Sequence, residues 1–235
     1  MKIILFICII LIIVLIGTII MNKYFTEYVD PFKLNFYIGK KGSGKSTLIA
    51  KLALKALKKG RNVYCNYPLN IPGTRTYNME DFGKFKFPPN SEVFVDEGTI
   101  HFHNRDFKNF KAEVRNYFIF QRKYKNVLHM FSQAWNVDLV IRTLCDNIYL
   151  VEKHMYVFSV ARKVSRKLVV VEPDGESEGR IGDGLELEPL WLQFIGFKVA
   201  YFTYIPKYVK YFNSFDAPDL GDIPFTEYNP PAASE

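Results

Sequence analysis

Residues 39–46 read Gly39-Lys40-Lys41-Gly42-Ser43-Gly44-Lys45-Ser46 and match the pattern G-x-x-x-x-G-K-[ST] completely. An apolar strand is predicted before them, at Leu34 to Ile38, and an amphipathic helix after them, at Thr47 to Lys59. Glycines in such a loop let successive backbone N–H groups point at phosphate oxygens. The alternative, a glycine-rich turn that matches by chance, does not explain the strand and helix on either side. The stretch therefore predicts a phosphate-binding P-loop.

The side chains of this loop suit a magnesium nucleotide. The N-terminus of the following helix adds positive potential beside the phosphates. The Lys45 ammonium is expected to reach the β- and γ-phosphates and to act in catalysis, and the Ser46 hydroxyl to ligate Mg²⁺. The predicted cofactors are ATP and Mg²⁺. The predicted nucleotide ligands are Gly39, Lys40, Lys41, Gly42, Ser43, Gly44, Lys45, Ser46 and Thr47.

A second predicted strand, at Glu92 to Asp96, ends in two carboxylates, Asp96 and Glu97. Asp96 is expected to hold the Mg²⁺ through water, and Glu97 to polarise the attacking water as a general base. The alternative is an ordinary strand that ends in a polar turn. A base beside the metal indicates hydrolysis, and the chain lacks the guanine-reading N/T-K-x-D sequence of GTPases. The pattern therefore favours an ATP-hydrolysing enzyme.

Two further side chains are candidates for catalysis. Gln133 follows the strand predicted at Val127 to Phe131, at the sheet edge where ligands bind, and could contact the γ-phosphate or the water. The alternative is an amide that caps the strand. Arg142, on a helix predicted at Asp138 to Cys145, could act as an arginine finger or form a surface salt bridge. Arg115 and Arg122 are its rivals.

No arginine lies within the P-loop or beside Asp96. Transition-state charge on the γ-phosphate needs a cation, and a neighbouring subunit can supply it. Head-to-tail contacts of that kind close into rings, so a homo-oligomeric ring, a hexamer, is predicted. The alternative is a monomer with an arginine in the same chain, such as Arg122.

The N-terminal stretch Ile3 to Met21 has 19 residues without a charge. As a helix it is long enough to span a bilayer, and it shows no polar face. A cleaved signal peptide and a buried core helix are the alternatives, but the apolar run is long for the former and no small-residue cleavage site follows. We expect a single-pass anchor at residues 1–22, with the rest of the chain in the cytoplasm because lysines follow the span.

The alternation of strands and helices over residues 34–152 predicts an α/β fold, with a mainly parallel sheet flanked by helices. The expected domains are the transmembrane anchor at 1–22, a P-loop ATPase domain at 31–165 and a small β-rich extension at 166–235. A hairpin is predicted from Met155 to Val160 and Leu168 to Glu172, followed by an acidic loop from Pro173 to Gly184.

The net charge of +7 suits an anionic partner, either nucleic acid or an acidic membrane surface. Basic and aromatic residues interleave from Arg105 to Lys125, as in single-stranded DNA grooves, although the aromatics could equally belong to the core. Leu190 to Ile205 is predicted to form strands or a membrane-facing surface, with a second span as the alternative. The pair His101 and His103 lacks further ligands for a metal site.

Several of these stretches together resemble the zonula occludens toxin-like (Zot) family, assembly ATPases of filamentous phages within the FtsK/HerA group of P-loop motors. The resemblance covers about residues 34–152. Beyond the P-loop it rests on Val63-Tyr64-Cys65-Asn66-Tyr67-Pro68-Leu69, Phe94-Val95-Asp96-Glu97, Gln121-Arg122-Lys123-Tyr124-Lys125, Phe131-Ser132-Gln133 and 137–146, with weaker support from Tyr211-Phe212-Asn213-Ser214-Phe215.

The resemblance implies a motor that extrudes phage DNA through the host inner membrane as coat subunits are added. It implies single-stranded DNA or nucleoprotein, phage coat or other assembly proteins, and the host membrane as partners. One feature departs from the family: its members carry the ATPase first and the membrane span after it, whereas here the span comes first. Two alternatives stay open, a genome-packaging ATPase of a tailless phage and a nucleotide-gated membrane scaffold.

Overall fold

The computed structural model describes residues 2–98, 112–134, 139–171, 180–194 and 196–213. Within these residues nine strands form one sheet. Their bounds are β1 Leu34–Ile38, β2 Asn62–Cys65, β3 Thr74–Thr76, β4 Ser91–Val95, β5 Asn126–Ser132, β6 Asn147–His154, β7 Phe158–Val171, β8 Arg180–Leu187 and β9 Ala200–Tyr204. The α-helices are α1 Lys2–Tyr24, α2 Lys45–Lys58, α3 Ala112–Phe120, α4 Leu139–Leu144 and α5 Ile205–Tyr208. Short helical turns cover Phe25–Val29, Met79–Asp81, Leu190–Gln193 and Val209–Tyr211.

The strands follow the order β3-β2-β4-β5-β1-β6-β7-β8, and β9 pairs with β7. Pairing is parallel from β3 through β6 and antiparallel among β6, β7, β8 and β9. The prediction of a mainly parallel α/β sheet is confirmed. Because β1 lies in the middle, the loop after it is flanked by the carboxyl ends of β5 and β6, the edge at which such sheets bind ligands.

Each face of the sheet buries a separate core. On one face α2 packs over a ladder of stacked rings, in which Tyr37 lies 4.4 Å from Phe131 and 5.0 Å from Tyr149 between ring centroids. The opposite core is built from the alternate residues of the same strands and includes Tyr117 and Phe118 of α3. Strands buried on both faces read as continuous apolar runs, which is why they were predictable from sequence.

The helix α1 is long and apolar enough to cross a membrane, and none of its residues is buried in the protein. Within the described residues it is the one helix that passes this test. After a helical turn at Phe25–Val29 the chain reaches Asp30, which forms ion pairs with Lys33 and Arg122. These pairs join the helix to the amino end of β1, the edge of the sheet opposite the P-loop.

The C-terminal part differs from the sequence prediction. The hairpin predicted from Met155–Val160 and Leu168–Glu172 is wrong, because β7 is one strand that pairs with β6, β8 and β9. The turn before it contains no glycine; Met155 and Tyr156 adopt positive φ angles of 49° and 59° there, so the usual turn signal is missing.

Other boundaries also shift. The acidic loop predicted at 173–184 overlaps β8, and the short β3 was not predicted. The described part of 190–205 is a helical turn followed by β9, so the alternative of a second span there is wrong. The domain boundary expected between residues 165 and 166 falls inside β7.

Candidate nucleotide-binding site

The P-loop follows β1 directly and is held by the neighbouring strands. The N–H of Gly39 donates to the carbonyl of Ser132 at 3.1 Å, which ties the loop to the end of β5. Gly42 and Gly44 have φ angles of 76° and 94°, a conformation that favours glycine. A Cβ on Gly39 would lie 2.5 Å from the carbonyl oxygen of Val151. The glycines of the motif are therefore required by backbone geometry.

The ammonium of Lys45 lies inside the loop. Its Nζ donates to the carbonyls of Gly39 at 2.9 Å and Lys40 at 3.2 Å, and the residue is only 7% exposed. Burial lowers the pKa of Lys45, while the charges of Asp96 and Glu97 oppose that shift. The loop therefore places a cation near both carboxylates, and the contact of Lys45 with phosphates stays a prediction.

The acid pair follows β4 and is positioned by the asparagine that follows β2. Asn66 Nδ2 donates to the carbonyl of Asp96 at 3.0 Å, and the N–H of Asp96 donates to Asn66 Oδ1 at 2.8 Å. Asp96 Oδ1 in turn accepts from the N–H of Glu97 at 2.9 Å. These bonds tie the turn that carries both carboxylates to the residue after β2, beside the P-loop lysine.

Gln133 lies across from the acid pair at the end of β5. Its Nε2 donates to both carboxylate oxygens of Glu97, at 2.8 and 3.0 Å. Glu97 has a φ of 53°, which is uncommon for a residue with a side chain and is often found at functional sites. The amide thus orients the carboxylate, and the role of Gln133 as a contact for phosphate or water stays a prediction.

The residues present fit a magnesium nucleotide. Within the described residues the hydroxyl of Ser43 is buried without a hydrogen-bond partner, which leaves one donor in the loop for a phosphate oxygen. Burial raises the pKa of the Asp96 carboxyl to about 6, an effect that a divalent cation beside it would offset. Ser46 and Asp96 would hold Mg²⁺, which supplies Lewis-acid stabilisation of phosphate charge when bound.

Sequence reasoning missed a contact from β7. Ser159, which is 1% exposed, donates its hydroxyl to the carbonyl of Ser43 at 2.8 Å. A Cβ on Gly44 would lie 2.6 Å from the Cβ of Ser159. The two segments are 116 residues apart in the chain, and no motif signals the contact. The strand β7 therefore forms a wall of the P-loop.

The variant Ser159→Leu is expected to weaken nucleotide binding at least tenfold, because its larger side chain has no room beside Gly44 and displaces the loop. Overpacking of this kind costs about 1–3 kcal/mol. Titration with a fluorescent ATP analogue measures the effect. Ser165→Leu, on the same strand but away from the loop, is the matched control. Unchanged affinity in folded Ser159→Leu protein would contradict the role of this wall.

The variant Asp96→Asn is expected to stabilise the protein at neutral pH without nucleotide or metal. The pKa of Asp96 is raised from 3.8 to about 6 in the folded state, so its protonated form stabilises the fold and that contribution is lost as pH rises through about 6. The gain over wild type should grow between pH 4 and 6, the interval between these two pKa values, and reach on the order of 1–3 kcal/mol above it. Urea unfolding across this range measures it; an Asp96→Asn protein less stable at neutral pH would refute the assignment.

The candidate arginines lie elsewhere. Arg122 forms ion pairs at 3.3 Å with Asp30 and Asp146, at the amino edge of the sheet, so the alternative that it serves the nucleotide of its own subunit is wrong. Arg142 lies on α4, whose Leu144 packs against the core on the face opposite α2. Arg115 is exposed on α3. His101 and His103 fall outside the described residues.

The fold and the site together define a P-loop NTPase. Comparison with protein-family models and with curated proteins gave no match. Among solved structures, the N-terminal domain of zonular occludens toxin from Neisseria meningitidis is similar at 18% identity and a TM-score of 0.47, covering 56% of this chain and 83% of that one. The family that the sequence motifs resemble is thus among the similar structures.

Two further similar structures come from other systems. The genome packaging NTPase B204 from Sulfolobus turreted icosahedral virus 2, in complex with ATP-gammaS, is 12% identical with a TM-score of 0.43, covering 57% of this chain and 92% of that one. The flagellar accessory protein FlaH from Methanocaldococcus jannaschii is 11% identical with a TM-score of 0.40, covering 66% and 90%. The geometry of this chain's own P-loop carries the assignment to the class.

Proposed function

We propose that this chain is a membrane-anchored ATPase motor that drives DNA through the host inner membrane during assembly of a filamentous virion. The observation that carries the proposal is the placement of nucleotide site and anchor at opposite edges of one sheet. Lys45, Asp96 and Glu97 lie together at the carboxyl edge, whereas α1 leads into the amino end of β1.

This placement supports one orientation of the motor. Between the chain that leaves α1 and the P-loop lies β1, which has 5 residues and a length of about 17 Å. With α1 in a bilayer, the nucleotide edge faces away from the membrane, and the need for ATP favours the cytoplasmic side. A motor held in this way can push against a membrane pore, which supports export rather than packaging into a free capsid.

The residues at the carboxyl edge have separate roles in hydrolysis. The Lys45 ammonium and the P-loop N–H groups bind phosphate oxygens and stabilise the charge that develops on them. The Glu97 carboxylate accepts a proton from the attacking water, and Gln133 holds that carboxylate in place. Ser46 and Asp96 would provide the metal ligands.

We propose further that the chain acts as a homo-oligomeric ring, a hexamer, in which a neighbour supplies the arginine for each nucleotide. Arg122 forms ion pairs with Asp30 and Asp146 at the amino edge of the sheet, away from the nucleotide of its own subunit. This supports an arginine finger from another subunit. Arg142 is the first candidate and the exposed Arg115 the second. Such a contact would couple hydrolysis in one subunit to the next.

The exposed side of α3 supports contact with single-stranded DNA. Tyr117 and Phe118 belong to the core, but Phe120 is 37% exposed and Lys123 lies 5.0 Å from the centre of its ring. A cation beside an exposed ring can bind a phosphate and a base together. The partners that complete virion assembly, such as coat proteins, follow from the family resemblance.

The proposal is tested with the full chain in lipid nanodiscs. Single-stranded DNA is expected to stimulate ATP hydrolysis several-fold, and sedimentation of the same preparation with ATP to give a closed oligomer. Lys45→Ala protein is the control for contaminating ATPases. Stimulation by double-stranded DNA alone would favour a packaging motor. Hydrolysis that does not respond to DNA would favour a nucleotide-gated scaffold. A protein that stays monomeric under all conditions would exclude the ring.

A further inference from the structure

A cavity of about 660 Å³ lies at the edge of the sheet opposite the P-loop, on the face that carries α2. Its floor is formed by strand residues, including Asn35 and Asn147 near the amino ends of β1 and β6 and His129 in the middle of β5. None of the residues assigned to nucleotide or magnesium lines it. The volume is in the range of small-molecule sites, so the cavity is large enough for a separate ligand.

The lining of the cavity is strongly basic. Among the described residues that line it, Asp30 and Glu92 are acidic and six are basic. Lys163 pairs with Glu188 beside the cavity at 3.5 Å, which leaves an excess of three positive charges. Both carboxylates already have partners, since Asp30 pairs with Lys33 and Glu92 with Arg61 at 3.0 Å. The six basic residues are Lys33, Lys55, Lys59, Arg61, Lys163 and Lys198.

The floor adds fixed polar groups. Glu92 Oε2 lies 3.2 Å from His129 Nε2, whose other ring nitrogen lies 3.2 Å from the Tyr37 hydroxyl. Although burial would raise the pKa of Glu92, the hydrogen bond and charge of His129 and the charge of Arg61 lower it. The acidic group is thus held ionised within its own network, and it offsets only part of the positive charge of the lining.

The cavity lies beside the end of α1. Asn22, Phe25 and Tyr28, at and just after the end of the apolar helix, form part of its wall. Gly196, which also lines it, approaches the helix so closely that a Cβ there would lie 3.1 Å from the Cα of Ile19. With α1 in a bilayer, this wall lies at the depth of the lipid headgroups.

The neighbouring segment has the character of a membrane interface. Trp191, Phe194 and Phe197 are 60%, 80% and 45% exposed, next to the Gly196 contact with α1. Aromatic side chains of this kind collect at the level of the headgroups, and basic pockets near the cytoplasmic end of a span bind anionic headgroups.

We infer that this cavity binds the phosphate headgroup of an anionic phospholipid from the membrane that holds α1. The inference rests on the anchor in the proposed function. Lysine and arginine donors give a phosphate charge-assisted hydrogen bonds, which are stronger than neutral ones. Lys55 and Lys59 lie at the end of the helix segment that begins with Lys45, so the lipid would contact the same element that carries the P-loop lysine.

The test uses the full chain with mixed vesicles of phosphatidylglycerol and phosphatidylcholine. Lipids retained after extraction are counted by native mass spectrometry. Wild type is expected to retain phosphatidylglycerol preferentially, and Lys55→Gln/Lys59→Gln to lose about 30-fold of that preference, since each lysine near an anionic surface contributes a factor of about five. Lys58→Gln/Lys86→Gln, two exposed lysines outside the cavity, is the matched control and should keep the preference.

Each other outcome overturns the inference. Equal retention of both lipids excludes a headgroup site, and an equal loss in the control pair indicates surface charge alone. Displacement of the bound lipid by millimolar inorganic phosphate or glycerol 3-phosphate indicates a site for soluble phosphate compounds. Displacement of the lipid by an oligonucleotide indicates a nucleic-acid site. Protein that does not float with vesicles of either lipid refutes the anchor as well, whereas ATP hydrolysis and its response to DNA are measured separately and report on the motor.

Discussion

Replacing Lys45 by alanine is expected to weaken nucleotide binding by more than 100-fold and to abolish ATP hydrolysis. The ammonium lies inside the P-loop, bonded to the carbonyls of Gly39 and Lys40, where it can bridge two phosphates. Charge-assisted hydrogen bonds contribute about 1.5–3 kcal/mol each, so the loss of two accounts for this factor. Titration with a fluorescent ATP analogue and release of inorganic phosphate measure both effects.

The variant Lys45→Ala is expected to lose nucleotide binding without losing its fold. Burial lowers the pKa of this lysine, so the fold disfavours its charged form, and the variant is expected to stay folded, which thermal unfolding checks. Lys58→Ala, an exposed lysine on the same helix, is the matched control for lost charge. Normal nucleotide affinity in Lys45→Ala protein would rule out the P-loop as the phosphate site.

The variant Glu97→Gln is expected to bind ATP normally and to hydrolyse it about 10²–10⁴-fold more slowly. An amide has almost the shape of the carboxylate but cannot accept a proton, and general base catalysis contributes a factor of this size. Single-turnover phosphate release after rapid mixing separates the chemical step from binding. Glu80→Gln, on an exposed helical turn, is the control for lost charge.

Gln133 gives a second check on the same assignment. Because its amide donates to both oxygens of Glu97, Gln133→Ala should slow hydrolysis less than Glu97→Gln does, leaving the base in place but less well oriented. Phosphate release at the wild-type rate from Glu97→Gln protein would show that another group acts as the base. A loss of ATP affinity in that variant would instead assign Glu97 to binding.

Local chemistry made much of the site predictable. The turn of the P-loop depends on Gly42 and Gly44, which have positive φ angles. Both lie in one short stretch of the chain, so the sequence motif contains everything that the turn needs. The acid pair follows a buried apolar strand, and this too is a pattern of adjacent residues. The apolar helix α1 was predictable because a long run without charges has few other stable structures. Sequence by itself therefore determined the nucleotide loop, the two carboxylates and the apolar N-terminal helix.

Tertiary structure alone decided which distant segments meet. Asn66 holds the backbone of Asp96 across 30 residues, and Ser159 contacts the P-loop across 116, because strand order brings β2 beside β4 and β7 near β1. Alternating apolar residues predict a strand but not its neighbours, and the pairing of β6 with β7 was not predicted because the turn between them lacks glycine. The basic cavity has the same origin: its lysines come from separate elements, and only the packing of α2 over the sheet gathers their charges beside α1.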